Sequence, residues 1–137
     1  MPSRPVLVSP KNYQPIQRLL AAYDGSDPSK RALHWAADLA SVMKLPLDVM
    51  HVNTNSALGV MTVREAKEYF KPYELGEVNT FVREGQVSDQ ILQVAYERDA
   101  GLIVMGAHGH GRLREALLGS VTEEVMRKTD RPLLLTR

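Results

Sequence analysis

Apolar and polar positions alternate along the chain between two periods. Residues 18–23 form a short apolar run, Leu19-Leu20-Ala21-Ala22-Tyr23, that ends in the turn chemistry of Asp24-Gly25-Ser26. Ser26 or Asp27 can cap a following helix, with Pro28 favoured in its first turn. From there Ala32, Leu33, Ala36, Leu39, Ala40 and Met43 recur at helical spacing, with Lys30, Arg31 and Asp38 off that stripe. Residues 45–52 form a second strand, apolar enough to be mostly buried. Residues 53–59 are polar and read as a loop, and 63–70 read as one brief helix that ends before Pro72. A third strand follows at 78–83. A turn at 84–87 then leads to a helix capped by Ser88 and carrying Ile91, Leu92, Ala95 and Tyr96. Residues 102–105 form a fourth strand and 121–127 lie in a last helix. Ser120-Val121-Thr122-Glu123 has the form of a capping box at its start, and 132–136 closes as a fifth strand.

Strand and helix alternating in this way imply right-handed crossovers. The expected fold is α/β: a three-layer α/β/α sandwich around a five-stranded parallel sheet. In such sheets ligands sit beyond the C-terminal strand ends, where the strand order reverses. Asp24, Val52 and the segment beginning at Gly106 all fall at that edge.

Composition narrows the function classes. The chain has 137 residues, enough for one domain with a real core. Lys and Arg total 17 against 16 Asp and Glu, so no net field draws it toward nucleic acid or an anionic membrane. There is no cysteine, which removes disulfides and thiolate metal sites and fits a reducing compartment. No apolar run reaches membrane-spanning length and no secretion signal opens the chain, so the expected location is the cytoplasm.

The candidate chemistry lies in the segment from Gly106 to Ser120. Gly106, Gly109 and Gly119 stand at the spacing G-x2-G-x9-G, and Ser120 follows at once. Glycines between a strand and a helix let backbone approach an anion, and a helix N-terminus favours negative charge. Other phosphate motifs fail. No Gly-Lys pair exists for a P-loop, and a dinucleotide fingerprint begun at Gly109 and Gly111 meets Arg114 at its third glycine position. Blander roles stand beside the ligand reading. Asp24-Gly25-Ser26 also serves as a turn and cap, and Ser120 as a cap rather than a nucleophile. Two loop histidines, His108 and His110, have no third partner for zinc. His34 reads as helix surface, His51 as strand packing and Trp35 as an edge residue. Arg112 and Arg114 read equally as phosphate partners or as solvated side chains.

With the G-x2-G-x9-G-[ST] hallmark intact at Gly106, Gly109, Gly119 and Ser120, the chain resembles the universal stress protein family. Ala22-Tyr23-Asp24-Gly25-Ser26, His51-Val52 and Arg83-Glu84-Gly85 extend the resemblance over about residues 17–137. It implies an adenine nucleotide alpha hydrolase-like, Rossmann-like fold and a dimeric regulatory module that binds ATP (or AMP or ADP) in a stress response. By the same resemblance Gly106, Gly109 and Gly119 would bring backbone N–H groups to the phosphates. Ser120, Val121 and Thr122 would open the helix beneath them. Asp24 would meet the ribose or a metal on the phosphates, and Ala22 and Val52 would line the adenine slot. Mg²⁺ would come with the nucleotide, whose triphosphate brings charge to be neutralised, although the sequence shows no dedicated metal cage. The rival class is an enzyme, a slow ATPase or another adenine-nucleotide-using enzyme. Hydrolysis needs a base for water, and beyond Asp24 or a loop histidine the sequence offers none. A scaffold with a vestigial pocket is the third reading.

Two features depart from the family pattern. The stretch between strands two and three leaves only the brief helix at 63–70. In addition, residues 1–16 precede the family domain at 17–137. Arg4-Pro5-Val6-Leu7-Val8 echoes Arg131-Pro132-Leu133-Leu134-Leu135, as the remnant closing strand of a preceding repeat would, and supplies an extra N-terminal strand. The family's closing strand commonly pairs across a homodimer, so the segment is expected to act there.

Overall fold

A computed structural model describes residues 4–11, 14–107 and 119–137. The elements are β1 (Val6–Val8), β2 (Leu19–Ala22), α1 (Asp27–Met43), β3 (Leu47–Val52), α2 (Ser56–Tyr69), β4 (Val78–Arg83), α3 (Val87–Arg98), β5 (Leu102–Gly106), α4 (Ser120–Lys128) and β6 (Leu133–Thr136). They build one six-stranded sheet in the order β1-β6-β5-β2-β3-β4. Strands β2 to β6 are mutually parallel, as the alternation predicts, and β1 joins antiparallel to β6.

Because side chains alternate across a strand, each strand feeds two cores. Leu19, Ala21, Leu47, Val49, Leu102, Val104 and Leu134 pack under α1 and α2. Leu20, Met50, Ile103, Met105, Leu133 and Leu135 pack under α3 and α4, against Ile91, Val94, Ala95 and Val125. The sheet is therefore covered on both faces, and its two middle strands, β5 and β2, are apolar along their length. Among the described residues no helix is long and apolar enough to cross a membrane.

Several local expectations change. Helix α2 starts seven residues before the position read from the sequence, inside the stretch taken for a loop. Asn53 Oδ1 accepts the Asn55 N–H at 2.9 Å, and Asn55 then caps the helix by accepting the Leu58 N–H at 3.1 Å. Gly59 resembles loop punctuation but is buried inside α2. A Cβ there would lie 2.4 Å from Val82 Cγ1, so the glycine is what lets α2 lie on β4. Ser88 is not the α3 cap: Gln86 holds that position without a side-chain bond, and Ser88 is buried in the first turn. The capping box at Ser120 does not form either, because Gly119 is the N-cap of α4 and makes no side-chain bond. Met43 and Tyr96 sit at the stripe spacing yet are exposed, while Ala37 and Val94 are buried in their helices. Trp35 is 37% exposed at the edge of α1, as expected.

The opposite end of the sheet from the C-terminal strand ends is held by a buried acid. Asp48, at 0% exposure, accepts from Arg98 Nε at 2.8 Å, Arg18 Nη1 at 3.1 Å and Asn79 Nδ2 at 3.1 Å. This network ties the starts of β2, β3 and β4 to the end of α3.

Candidate functional site

Strand order reverses beside β2: the chain runs outward through β3 and β4, then returns to place β5 on β2's other side. The crevice expected at such a reversal is present at the C-terminal strand ends. It is a cleft with about 830 Å³ of empty space, part of it open to solvent.

The cleft gathers residues from four places in the sequence. Ala22 and Asp24 come from the end of β2, Val52 from β3, Gly106 from β5, and Gly119, Ser120, Val121 and Thr122 from the start of α4. Every described residue singled out in the sequence for the site therefore lines one cavity. Gly109, His108, His110, Arg112 and Arg114 lie outside the described residues.

Two of the glycines have separate physical reasons. A Cβ on Gly106 would fall 2.6 Å from the Pro28 carbonyl carbon and 2.7 Å from the Ser29 nitrogen, so only glycine lets β5 end against the first turn of α1. Gly119 has φ 85° and ψ 156°, a region other residues scarcely enter. That conformation turns the chain so that α4 begins at the cleft. Glu123 donates to the Gly119 carbonyl at 3.1 Å as the first intrahelical bond. The N–H groups of Ser120, Val121 and Thr122 precede that bond and have no acceptor within the helix. An array of donors at the positive end of a helix dipole is suited to an anion.

The opposite wall is apolar. Ala22, Met50, Val52 and Met105 from the sheet face Val87 and Ile91 from α3. Such a slot accepts a flat, weakly polar ring. The same cleft is lined by Asp24, an exposed residue whose Oδ1 accepts the Ser26 N–H at 2.9 Å. Ser26 Oγ in turn accepts the Ser29 N–H at 3.3 Å and caps α1. The turn-and-cap role of Asp24-Gly25-Ser26 is thus realised, and one oxygen of Asp24 serves it. Ser29 is buried, accepts the Asp24 N–H at 3.3 Å and donates to the Ser26 carbonyl at 2.9 Å, which fixes the loop.

Sequence reading missed part of the lining. His51 was read as a packing residue, yet it lines the cleft with Nδ1 2.8 Å from the Tyr23 carbonyl. A carbonyl only accepts, so Nδ1 carries the proton and Nε2 faces Asn53 Nδ2 at 3.4 Å. Tyr23 is buried and donates its hydroxyl to Glu65 of α2. Burial first, and that bond second, push its phenol well above the ordinary tyrosine range. Adjacency to Asp24 and Val52 was the available signal for both residues. Val87 and Ile91 carried none, since only the crossover of α3 brings them to the slot. Among the described residues no group of three or more His, Asp or Glu is placed to hold a metal ion.

Comparison with known proteins agrees with this architecture. A family model described as the universal stress protein family matches residues 15–137. The universal stress protein Slr1230 of Synechocystis is 35% identical over 138 residues, covering 98% of this chain and 47% of that protein. The chain therefore spans about half the length of this relative. Among solved structures, a universal stress protein in complex with cAMP matches with a TM-score of 0.78 at 27% identity, over 89% of this chain and 97% of the other. A universal stress protein from Archaeoglobus fulgidus matches with a TM-score of 0.72 at 27% identity, over 97% of this chain and 49% of the other.

Proposed function

The chain belongs to the universal stress protein family, and from that premise we propose that its cleft binds an adenine nucleotide, ATP in the first place, as part of a regulatory module in a stress response. The observation that carries this is the meeting, in one cleft, of the α4 N-terminus, an apolar slot and the carboxylate of Asp24. A nucleotide offers a partner for each: a base, a ribose and phosphates.

In this reading the base lies between Ala22 and Val52, with Met50, Met105 and Ile91 behind it. Asp24 accepts from the ribose hydroxyls. The phosphates lie over Gly106 and Gly119, on the N–H groups of Ser120, Val121 and Thr122, and the family resemblance assigns Gly109 the same role. Charged hydrogen bonds of this type contribute about 1.5–3 kcal/mol each, so a few of them suffice for micromolar affinity. Mg²⁺ would arrive with a triphosphate and neutralise it. The relative solved with cAMP supports the adenine preference. AMP and ADP share base and ribose and would bind with fewer phosphate contacts. The expected setting is the cytoplasm. Pairing of two copies through the closing strand belongs to the same reading, on condition that β1 leaves the edge of β6.

Equilibrium dialysis with ATP, with and without Mg²⁺, tests this directly. Saturable binding that weakens in Asp24→Ala and Gly109→Ala variants is expected. Failure to bind in either condition would leave a scaffold with a vestigial pocket. Phosphate release by the purified protein, lost in both variants, would instead identify a slow ATPase.

A further inference from the structure

The two edges of the sheet differ in how they meet solvent. One is β1, three residues long and bordered by Pro5 and Pro10; shortness and proline both blunt an edge against further pairing. The other is β4, six residues long and half-buried at every position. It has no proline or lysine, its register with β3 runs without a bulge, and its one charge, Arg83, stands at its end. None of the usual devices guards this edge.

The ladder fixes which groups β4 leaves open. Leu47 donates to the Glu77 carbonyl at 3.0 Å and Asn53 to the Arg83 carbonyl at 2.9 Å, so the odd-numbered positions turn their backbone groups to β3. The N–H and C=O groups of Val78, Thr80 and Val82 therefore face outward, and among the described residues they have no backbone partner. The side chains of Val78 and Val82 turn to the α2 side, where Val82 meets Gly59, and Thr80 lies between them in the same alternation.

A second copy can meet these outward groups antiparallel about a two-fold axis in three registers. Centred on Asn79, the pairing joins Val78 to Thr80 and sets Val82 against Gly76, beyond the strand. Centred on Phe81, it joins Thr80 to Val82 and sets Val78 against Glu84, again beyond the strand. Centred on Thr80, it uses every open group: Val78 lies opposite Val82 and Thr80 opposite Thr80, and each pair exchanges two backbone hydrogen bonds. Only this register also matches charge. It sets Glu77 opposite Arg83 of the other copy, twice by symmetry, at the non-hydrogen-bonded positions where side chains come closest. Glu77 is 54% exposed and holds Arg18 at 3.3 Å and Arg98 at 3.9 Å, while Arg83, 28% exposed, holds Glu97 at 3.0 Å. A carboxylate accepts at several positions and a guanidinium donates from five N–H groups, so a second pairing leaves the first in place.

We propose that the β4 edge is an interface between two copies of this chain, paired antiparallel about Thr80 so that two six-stranded sheets run on as one. The pairing needs no nucleotide and does not involve the closing strand.

Light scattering of the ligand-free protein over a dilution series tests this. The intact chain should run at twice its own 15.3 kDa at the concentrated end. Thr80→Pro should halve that mass, because the Thr80 N–H faces outward: the proline removes no bond to β3 but removes the central pair. Glu77→Arg and Arg83→Glu, each alone, put two like-charge pairs where two opposite ones stood, and should weaken association roughly tenfold or more. Mixed one to one, their altered positions face each other and so do their unaltered ones. The mixed dimer thus regains both opposite-charge pairs and should form as the intact one does. Damage within either fold is the same mixed or unmixed, so recovery on mixing reads the interface alone. A single-chain mass for the intact protein throughout the series overturns the proposal. So does a Thr80→Pro chain that circular dichroism shows folded at unchanged mass, since pairing then uses another surface, the closing strand included. Charge variants that associate as tightly as the intact chain, or gain nothing on mixing, overturn it equally. If Thr80→Pro does not fold, the charge variants decide alone.

Discussion

Replacing Gly119 by alanine separates the two duties this residue carries. Its φ of 85° and ψ of 156° lie where only glycine is at ease, and a Cβ there costs about 1–3 kcal/mol if the backbone holds. For a chain of this size each kcal/mol lowers the thermal midpoint by roughly 4 °C, which predicts a drop of about 4–12 °C. If the backbone relaxes instead, α4 starts in a different direction and the N–H groups of Ser120, Val121 and Thr122 leave the cleft. Loss of even one charged hydrogen bond, about 1.5–3 kcal/mol, weakens ATP binding roughly tenfold or more. Ser120→Ala is the control, because it removes a hydroxyl and leaves the backbone donors in place; its affinity should stay within about threefold. The assays are thermal unfolding of the ligand-free protein and calorimetric titration with ATP and Mg²⁺. An unchanged midpoint and affinity for Gly119→Ala would refute the backbone argument. A lowered midpoint with full affinity would instead refute the placement of phosphate at α4.

Two further outcomes follow from the same structure. Asp48→Ala removes a fully buried acid and leaves Arg18 and Arg98 facing each other, but their side chains are 21% and 31% exposed and can regain water. The expected loss is therefore about 2–4 kcal/mol in urea unfolding, at or below the usual range for a broken buried pair, and a loss under about 1 kcal/mol would contradict it. Alkaline titration should show two of the five tyrosines ionising late. Burial raises the Tyr69 phenol to about 12, helped by its bond to Tyr73, and Tyr23 is raised further by burial and Glu65. A raised folded pKa means stability that is whole below pH 10 and falls as pH climbs from 10 to 12 and beyond, because the unfolded chain ionises first. Absorbance of the phenolates, with Tyr23→Phe and Tyr69→Phe as comparisons, measures it; five tyrosines ionising together near 10 would count against it.

Much of the fold was legible because period and punctuation agreed. Apolar runs, the first of them closed by Asp24-Gly25-Ser26, located the five parallel strands within a residue or two. The errors share one cause. Gly59, Ser88 and Ser120 were read by local habit, as loop glycine and helix caps, whereas neighbours distant in sequence decide them. Val82 makes Gly59 a contact residue in α2, burial takes Ser88 into α3, and the backbone of Gly119 displaces Ser120 from the cap.

The candidate site divides along the same line. Sequence alone determined the spacing of the glycines, the carboxylate in the turn after the first parallel strand and the apolar ends of the strands, since these depend on residue type and position. Tertiary structure decided that they converge on one cleft, that His51 and α3 complete its walls, and that Gly106 is dictated by α1 as much as by any ligand. It also decided that the closing strand's edge is covered by β1. Sequence could show that two segments resemble each other. Only pairing in space could set one against the other, because a strand's partner is chosen by hydrogen bonds and burial across the sheet and leaves no local mark on the chain.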